Sequence, residues 1–189
     1  MKKIICLLLA VCTALMFAAC GKPSAKDDNS DTVDLEYYIK LGKMPESKYD
    51  LGASFEDIKA AADEEAEEPL TLSAPDRTGI NYQNFNYYYD DIDSEKKISY
   101  IVSFAGAYGY TQGTLSEKIK SDLSKRDLNA KEEALTEDET FFIPIKGEFT
   151  GIKYTFSDSS MDGVNTVCFV FENGALCAAA LYHGVTAAD

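Results

Sequence analysis

Carboxylates are the side chains through which this sequence could most readily do chemistry. Asp90, Asp91, Asp93 and Glu95 crowd one short stretch, and Asp63, Glu64, Glu65, Glu67 and Glu68 another. Paired carboxylates serve as general acid and base in hydrolysis, and several together can hold calcium through oxygen. The first stretch lacks the glycine and terminal glutamate of an EF-hand loop, and acidic residues favour turns for backbone reasons alone. The second stretch reads as a solvated helix end. The chain has one histidine, His183. Proton transfer through it would need a nucleophile or acid within hydrogen-bond reach, and the sequence nominates none. It has neither a phosphate-cradling glycine loop nor a nucleophile-elbow serine. We therefore expect no catalytic residues, no cofactor and no metal site.

Cysteine offers a different chemistry. Of five cysteines, Cys6, Cys12 and Cys20 lie in or beside an N-terminal leader. Lys2 and Lys3 precede an apolar run over residues 4–17, and Ala18, Ala19, Cys20 and Gly21 follow. The run is shorter than the roughly 20 residues a membrane span needs. It has the layout of an export signal ending in small residues. This segment resembles the lipobox of bacterial lipoproteins, with Phe17 where a smaller residue is usual. The resemblance implies that residues 1–19 are removed and that Cys20 carries lipid. Two acyl chains then suffice for stable anchoring, at the extracytoplasmic face of the cell membrane. Cys168 and Cys177 remain for the folded part, and strand geometry predicts that they stay unpaired.

The formal charge is −14, and losing Lys2 and Lys3 takes it two units lower. That excludes nucleic acid as a partner, since phosphates demand Lys and Arg, and it opposes lying flat on anionic lipid. The membrane is thus expected as a partner through the anchor alone. Residues 20–32, from the lipidated cysteine onward, are polar, and we read them as a tether.

The remainder carries an internal repeat. Phe85, Tyr87 and Tyr89 alternate with other residues as Ile152, Tyr154 and Phe156 do, 67 positions on. The same offset places Asp91 on Asp158, Tyr100 on Val167, Val102 on Phe169 and Phe104 on Phe171. Period-two alternation marks strands with one buried face. A helix precedes each pair: Gly52, Glu56, Ile58 and Lys59 match Gly113, Glu117, Ile119 and Lys120. Ser54 with Asp57, and Thr114 with Glu117, suit capping boxes. Ile58, Ala61 and Ala62, then Leu115, Ile119 and Leu123, supply the apolar stripes. Short strands are predicted at 70–74 and 140–143, and closing strands at 107–111 and 175–183, the last entered through an Asn173-Gly174 turn. Residues 33–51 are expected to form an extra helix or strand. The fold class is α+β: two tandem repeats over 33–111 and 112–189, each a helix and a four-stranded antiparallel sheet. Ile58, Tyr87, Val102, Ile119, Tyr154 and Phe169 are the predicted core.

Element order and the glycine-opened helix resemble the β-lactamase-inhibitor protein family and the small β-barrel-assembly lipoproteins. The resemblance implies helices on one sheet face and an open second face. With Val167, Phe169 and Phe171 toward the helix, alternation places Tyr88, Ile101, Ser103, Lys153, Thr155 and Val170 on that second face, beside Asn86 and Cys168. A two-residue turn adds Cys177, Ala179 and Leu181. Such a face is more apolar than a solvated one needs to be, so these residues are candidates for binding a partner. The alternative is that the repeats, or residues 33–51, cover it from within. The expected function is a non-catalytic binding module for an extracytoplasmic protein or envelope polymer. The alternative is a carboxylate-dependent envelope hydrolase built on pairs such as Asp90 and Asp93.

Overall fold

In a computed structural model of the protein, the described residues are 33–65, 70–157 and 163–184. Residues 1–32, read above as leader, lipidated Cys20 and tether, lie outside them, as do Glu67, Glu68 and Asp158. The class is α+β, dominated by one antiparallel sheet of eight strands. Three helices are described: α1 (Leu35–Lys40), α2 (Phe55–Glu64) and α3 (Ser116–Lys125). Strands β1 (Leu70–Ala74), β2 (Arg77–Tyr82), β3 (Phe85–Asp90) and β4 (Tyr100–Ser103) form one half of the sheet. Strands β7 (Lys131–Ala134), β8 (Phe149–Ser157), β9 (Val164–Glu172) and β10 (Ala175–Gly184) form the other. The order is β1-β2-β3-β4-β10-β9-β8-β7, so the halves are joined by β4 against β10. The closing strand expected at 107–111 is absent from this sheet. Its residues instead form a small ribbon, β5 (Gly106–Ala107) with β6 (Tyr110–Thr111).

Turn chemistry explains the hairpins. Gln83 and Asn84 take φ of 49° and 68°, and Asn173 and Gly174 take 52° and 78°. Positive φ at both central residues is the two-residue turn whose twist matches the strands. β2, which the repeat did not anticipate, is entered through a different two-residue turn, Pro75 and Asp76, in which only Asp76 takes positive φ (56°). The strand expected at 140–143 is not one. β7 occupies that place in the sheet, and residues 140–143 belong to an irregular segment.

The helices start without the predicted capping boxes. Ser54 makes no side-chain cap, and the cap position of α3 is Leu115 rather than Thr114. Backbone bonds to the sheet take their place. Gly52 N–H donates to Ile98 O and Ile98 N–H to Ala53 O (2.8 and 2.9 Å). Gly113 N–H donates to Leu176 O and Leu176 N–H to Thr114 O (both 2.8 Å). These bonds hold each helix start against Ile98, just before β4, and Leu176 of β10, while the first helical donors are served separately, Phe55 N–H by Lys96 O (3.1 Å) and Ser116 N–H by Gly174 O (3.0 Å). Leu115 is consequently pushed outward and is 63% exposed, not part of the α3 stripe.

The principal core lies between the helices and one sheet face. All six predicted core residues are buried. Five of them, Ile58, Tyr87, Ile119, Tyr154 and Phe169, meet in this layer. Residues 33–51 contribute α1, which adds Leu35 and Ile39 to the same layer, and Met44, beyond the helix, joins them. α1 is capped by Asp34, whose carboxylate accepts from Tyr37 N–H (3.1 Å). It is bound to the second half by Asn165 Nδ2–H donating to Ile39 O (2.8 Å) and Tyr154 O–H donating to Glu36 Oε1 (2.6 Å).

Val102 is buried on the opposite face. Register explains this: Tyr87 faces Ile101, and Phe169 faces Ala179. The ungapped offset had placed Val102 with Phe169, one residue out of step. A one-residue slip sends every side chain of a strand to the other face, so Ile101 and Ser103 belong to the helix side. Ala179 and Leu181 also lie there, because the β9–β10 register shifts between Leu176 and Ala178. The extra residue of that bulge is Cys177, and it reverses the alternation the turn had set.

Candidate functional site

The second sheet face is floored by small and branched residues. One cross-strand row runs Asn86, Val102, Ala180, Cys168, Lys153 from β3 to β8. The next contains Ala178, Val170 and Gly151. A tyrosine row, Tyr88, Tyr100 and Tyr182, stands along one side, with Tyr100 and Tyr182 stacked at 5.1 Å. Asn86 Nδ2–H donates to the Tyr88 hydroxyl (3.4 Å). Burial raises the Tyr88, Tyr100 and Tyr182 phenols above their ordinary value, so all three are neutral hydroxyls.

This face is not open. Residues 135–148, between β7 and β8, cross it as a strap. Phe141 meets Tyr88 and Tyr100 edge to face, at 5.1 and 5.3 Å. Phe142 meets Phe104 at 6.4 Å. Arg77, paired with Asp90 (Nε–Oδ1 2.9 Å), lies over both Tyr100 and Phe141 at 4.7 and 4.6 Å. Such aromatic and cation contacts each contribute about 0.5–1.5 kcal/mol beyond simple burial. Leu135 and Ile143 complete the apolar layer. The floor is cut away to receive the strap: a Cβ on Gly151 would lie 2.7 Å from Leu135 Cδ2 and 2.8 Å from Cys168 Sγ.

A polar latch sits at the margin. Lys153 pairs with both Glu133 of β7 and Glu139 of the strap. Burial works against the charged Lys153, yet the bonds it donates to the two carboxylates raise it well above an ordinary lysine. For Glu139, burial pushes the carboxyl upward, but the bonds from Lys153 and the Thr136 backbone hold it below its ordinary value. Both groups are charged at neutral pH. Among the described residues the strap's backbone hydrogen bonds are local, apart from Leu135 N–H donating to Phe149 O (2.9 Å). The strap is therefore seated on the sheet mainly by side chains.

Of the six residues expected to bind a partner, the structure gathers three here. Tyr88 and Val170 are buried under the strap layer, and Lys153 is its latch. Thr155 lies on the same face but remains exposed, with its hydroxyl 3.0 Å from that of Thr166. Ile101 and Ser103 are on the other face, where the Ser103 hydroxyl donates to Gly106 O (2.7 Å). Phe141 and Phe142 are the residues sequence reasoning missed. Two adjacent phenylalanines before Pro144, in a stretch read as a strand, were the available signal.

The other candidates are engaged locally. Asp93 accepts from Glu95 and Lys97 N–H (2.9 and 2.8 Å), bonds that hold it below its usual value and order its turn. His183 Nδ1 lies 3.0 Å from Asn165 Oδ1, at the rim of a cleft of about 490 Å³ that includes Asp93, Lys97 and Ser99. Cys168 and Cys177 are free thiols. Burial pushes the Cys168 thiol up to about 12, so it is not a nucleophile at neutral pH. Among the described residues no three His, Cys, Asp or Glu side chains group to hold a metal ion, and no helix is long and apolar enough to cross a membrane. Compared with models of protein families, with curated proteins and with solved structures, the chain matches none.

Proposed function

We propose that this chain is a lipid-anchored, extracytoplasmic binding module that acts without catalysis, through the strap-bearing face of its sheet. One observation carries the reading. Beneath residues 135–148 lies a second apolar layer, separate from the principal core and covered by a single irregular segment. Long irregular segments within compact domains are commonly functional, and an apolar face becomes the kind of exposed patch that marks a contact surface once its cover lifts. A photoreactive side chain at the exposed Thr155 should give a discrete adduct with an envelope component in cells. The same group at Lys59, on the outer side of α2, should not. Adducts from neither position, or equally from both, would remove the reading.

The anchor is read from Cys20 and its preceding small residues. A Cys20→Ala chain should leave the membrane fraction and lose palmitate labelling. If labelling is unchanged, the anchor is elsewhere.

We also read residues 33–111 and 112–189 as two tandem helix-plus-four-strand units. Support comes from the matched bonds of Gly52 with Ile98 and of Gly113 with Leu176, and from φ of +81° and +85° at the two glycines. β4 and β10 are the equivalent strands in this reading. A chain opened between Thr111 and Gln112, with the original ends linked, should fold. Failure to fold would count against separable units.

A further inference from the structure

We propose that the layer beneath the strap is an exchangeable docking surface, taking a partner-protein segment that carries adjacent aromatic side chains beside an acidic residue. The strap is its resident competitor. The inference rests on the binding-module reading and names the partner's chemistry.

The strap shows what the surface accepts. Phe141 fills the angle between Tyr88 and Tyr100, and Phe142 turns toward Phe104. Glu139, two residues before them, reaches Lys153. The floor beneath is Val102, Ala178, Ala180, Cys168 and Val170, all buried, and its small side chains leave room for rings. Rigid aromatic anchors in apolar pockets are the usual energetic centre of a protein contact. At the rim Arg77 is already paired with Asp90, but Lys153 loses one of its two carboxylate partners, Glu139, when the strap leaves and keeps only Glu133, so it favours an acidic companion over a basic one. Exchange requires that the strap leave without unfolding the sheet. Its attachments permit that, because it adds no strand to the sheet and its ends join β7 and β8 at the sheet's edge.

The test uses the strap itself as probe. In the full chain, residues 136–147 are replaced by a Gly-Ser linker. A labelled peptide of residues 135–149 is then titrated against it. We expect saturable binding, at least tenfold weaker for a peptide with Phe141 and Phe142 changed to Ala, and at least tenfold weaker for the intact chain. A strap-replaced chain that keeps native protection of its β9 amides yet binds no peptide would overturn the proposal. Should that chain not fold, the intact chain decides through Cys168, which lies beneath the strap. Labelling of its thiol faster than global unfolding supports exchange, and labelling only at the global unfolding rate overturns it. Because no cellular partner enters these measurements, their failure is distinct from a failure of the crosslinking at Thr155.

Discussion

Gly151 of β8 and Leu135 of the strap are fitted to each other: a methyl group on the glycine would come within 2.7 Å of Leu135 Cδ2. Its φ is not in the left-handed region, so space rather than backbone freedom requires glycine here. We expect Gly151→Ala to cost about 1–3 kcal/mol, the range for overfilling a packed site, and to speed labelling of Cys168. Equal thermal stability and equal labelling in wild type and variant would show that Leu135 simply moves aside.

The latch between Glu139 and Lys153 gives the strap a pH dependence. The folded protein holds the Glu139 carboxyl below its ordinary value of 4.5. A depressed acid contributes stability above its unfolded value and loses it as pH falls through the lower folded value. The strap should therefore loosen as pH falls below about 4.5. In Glu139→Gln that part of the acid limb should vanish, measured as unfolding free energy between pH 3 and 6. Parallel curves for the two proteins would place the acid dependence in other carboxylates.

Phe169 is fully buried in the principal core, with Tyr108 and Tyr110 edge-on at 6.1 and 5.3 Å. Phe169→Ala should cost about 3–5 kcal/mol. A loss within about 1 kcal/mol, the range of surface changes, would contradict its placement.

The two faces give a paired test of register. Ile101→Asp puts charge into the principal core and should abolish folding, since an unpaired buried charge has no compensating partner. Thr155→Asp lies on exposed surface and should leave stability within about 0.5 kcal/mol of wild type. Comparable destabilisation by both, in urea denaturation, would mean the assigned β4 register is wrong.

Both thiols should be counted as free in the denatured, non-reduced protein lacking Cys20. In the native protein Cys177, half-buried with its thiol donating to Val170 O (3.3 Å), should label before Cys168. A thiol count near zero would reveal a disulfide.

Much of the fold was legible because its signals are local. β1 falls on the predicted residues 70–74, since apolar Leu70 and Leu72 alternate up to a Pro turn. The Asn173-Gly174 turn is present because few other pairs accept its dihedrals. Parity failed where a signal had to be carried across an irregularity. The nine residues between β3 and β4 do not transmit alternation, and the bulge at Cys177 leaves no compositional mark. The strap was missed for a related reason: Phe141, Phe142 and Ile143 read as a strand by type, and Glu139 is legible as a latch only beside Lys153. Two of the six site residues went to the wrong face through the parity error alone.

The central pairing of β4 with β10 has a temporal side. β4 is only four residues long, and one of its edges is completed by a strand that follows every other strand in sequence. A chain synthesised from its N-terminus thus presents β1 to β4 with an unfilled edge until β10 has emerged. Bare edges invite pairing with other chains, and contacts this distant in sequence form slowly. The interval between the emergence of β4 and of β10 is when this protein is most open to aggregation. A chaperone that shields one strand edge would be enough to guard it.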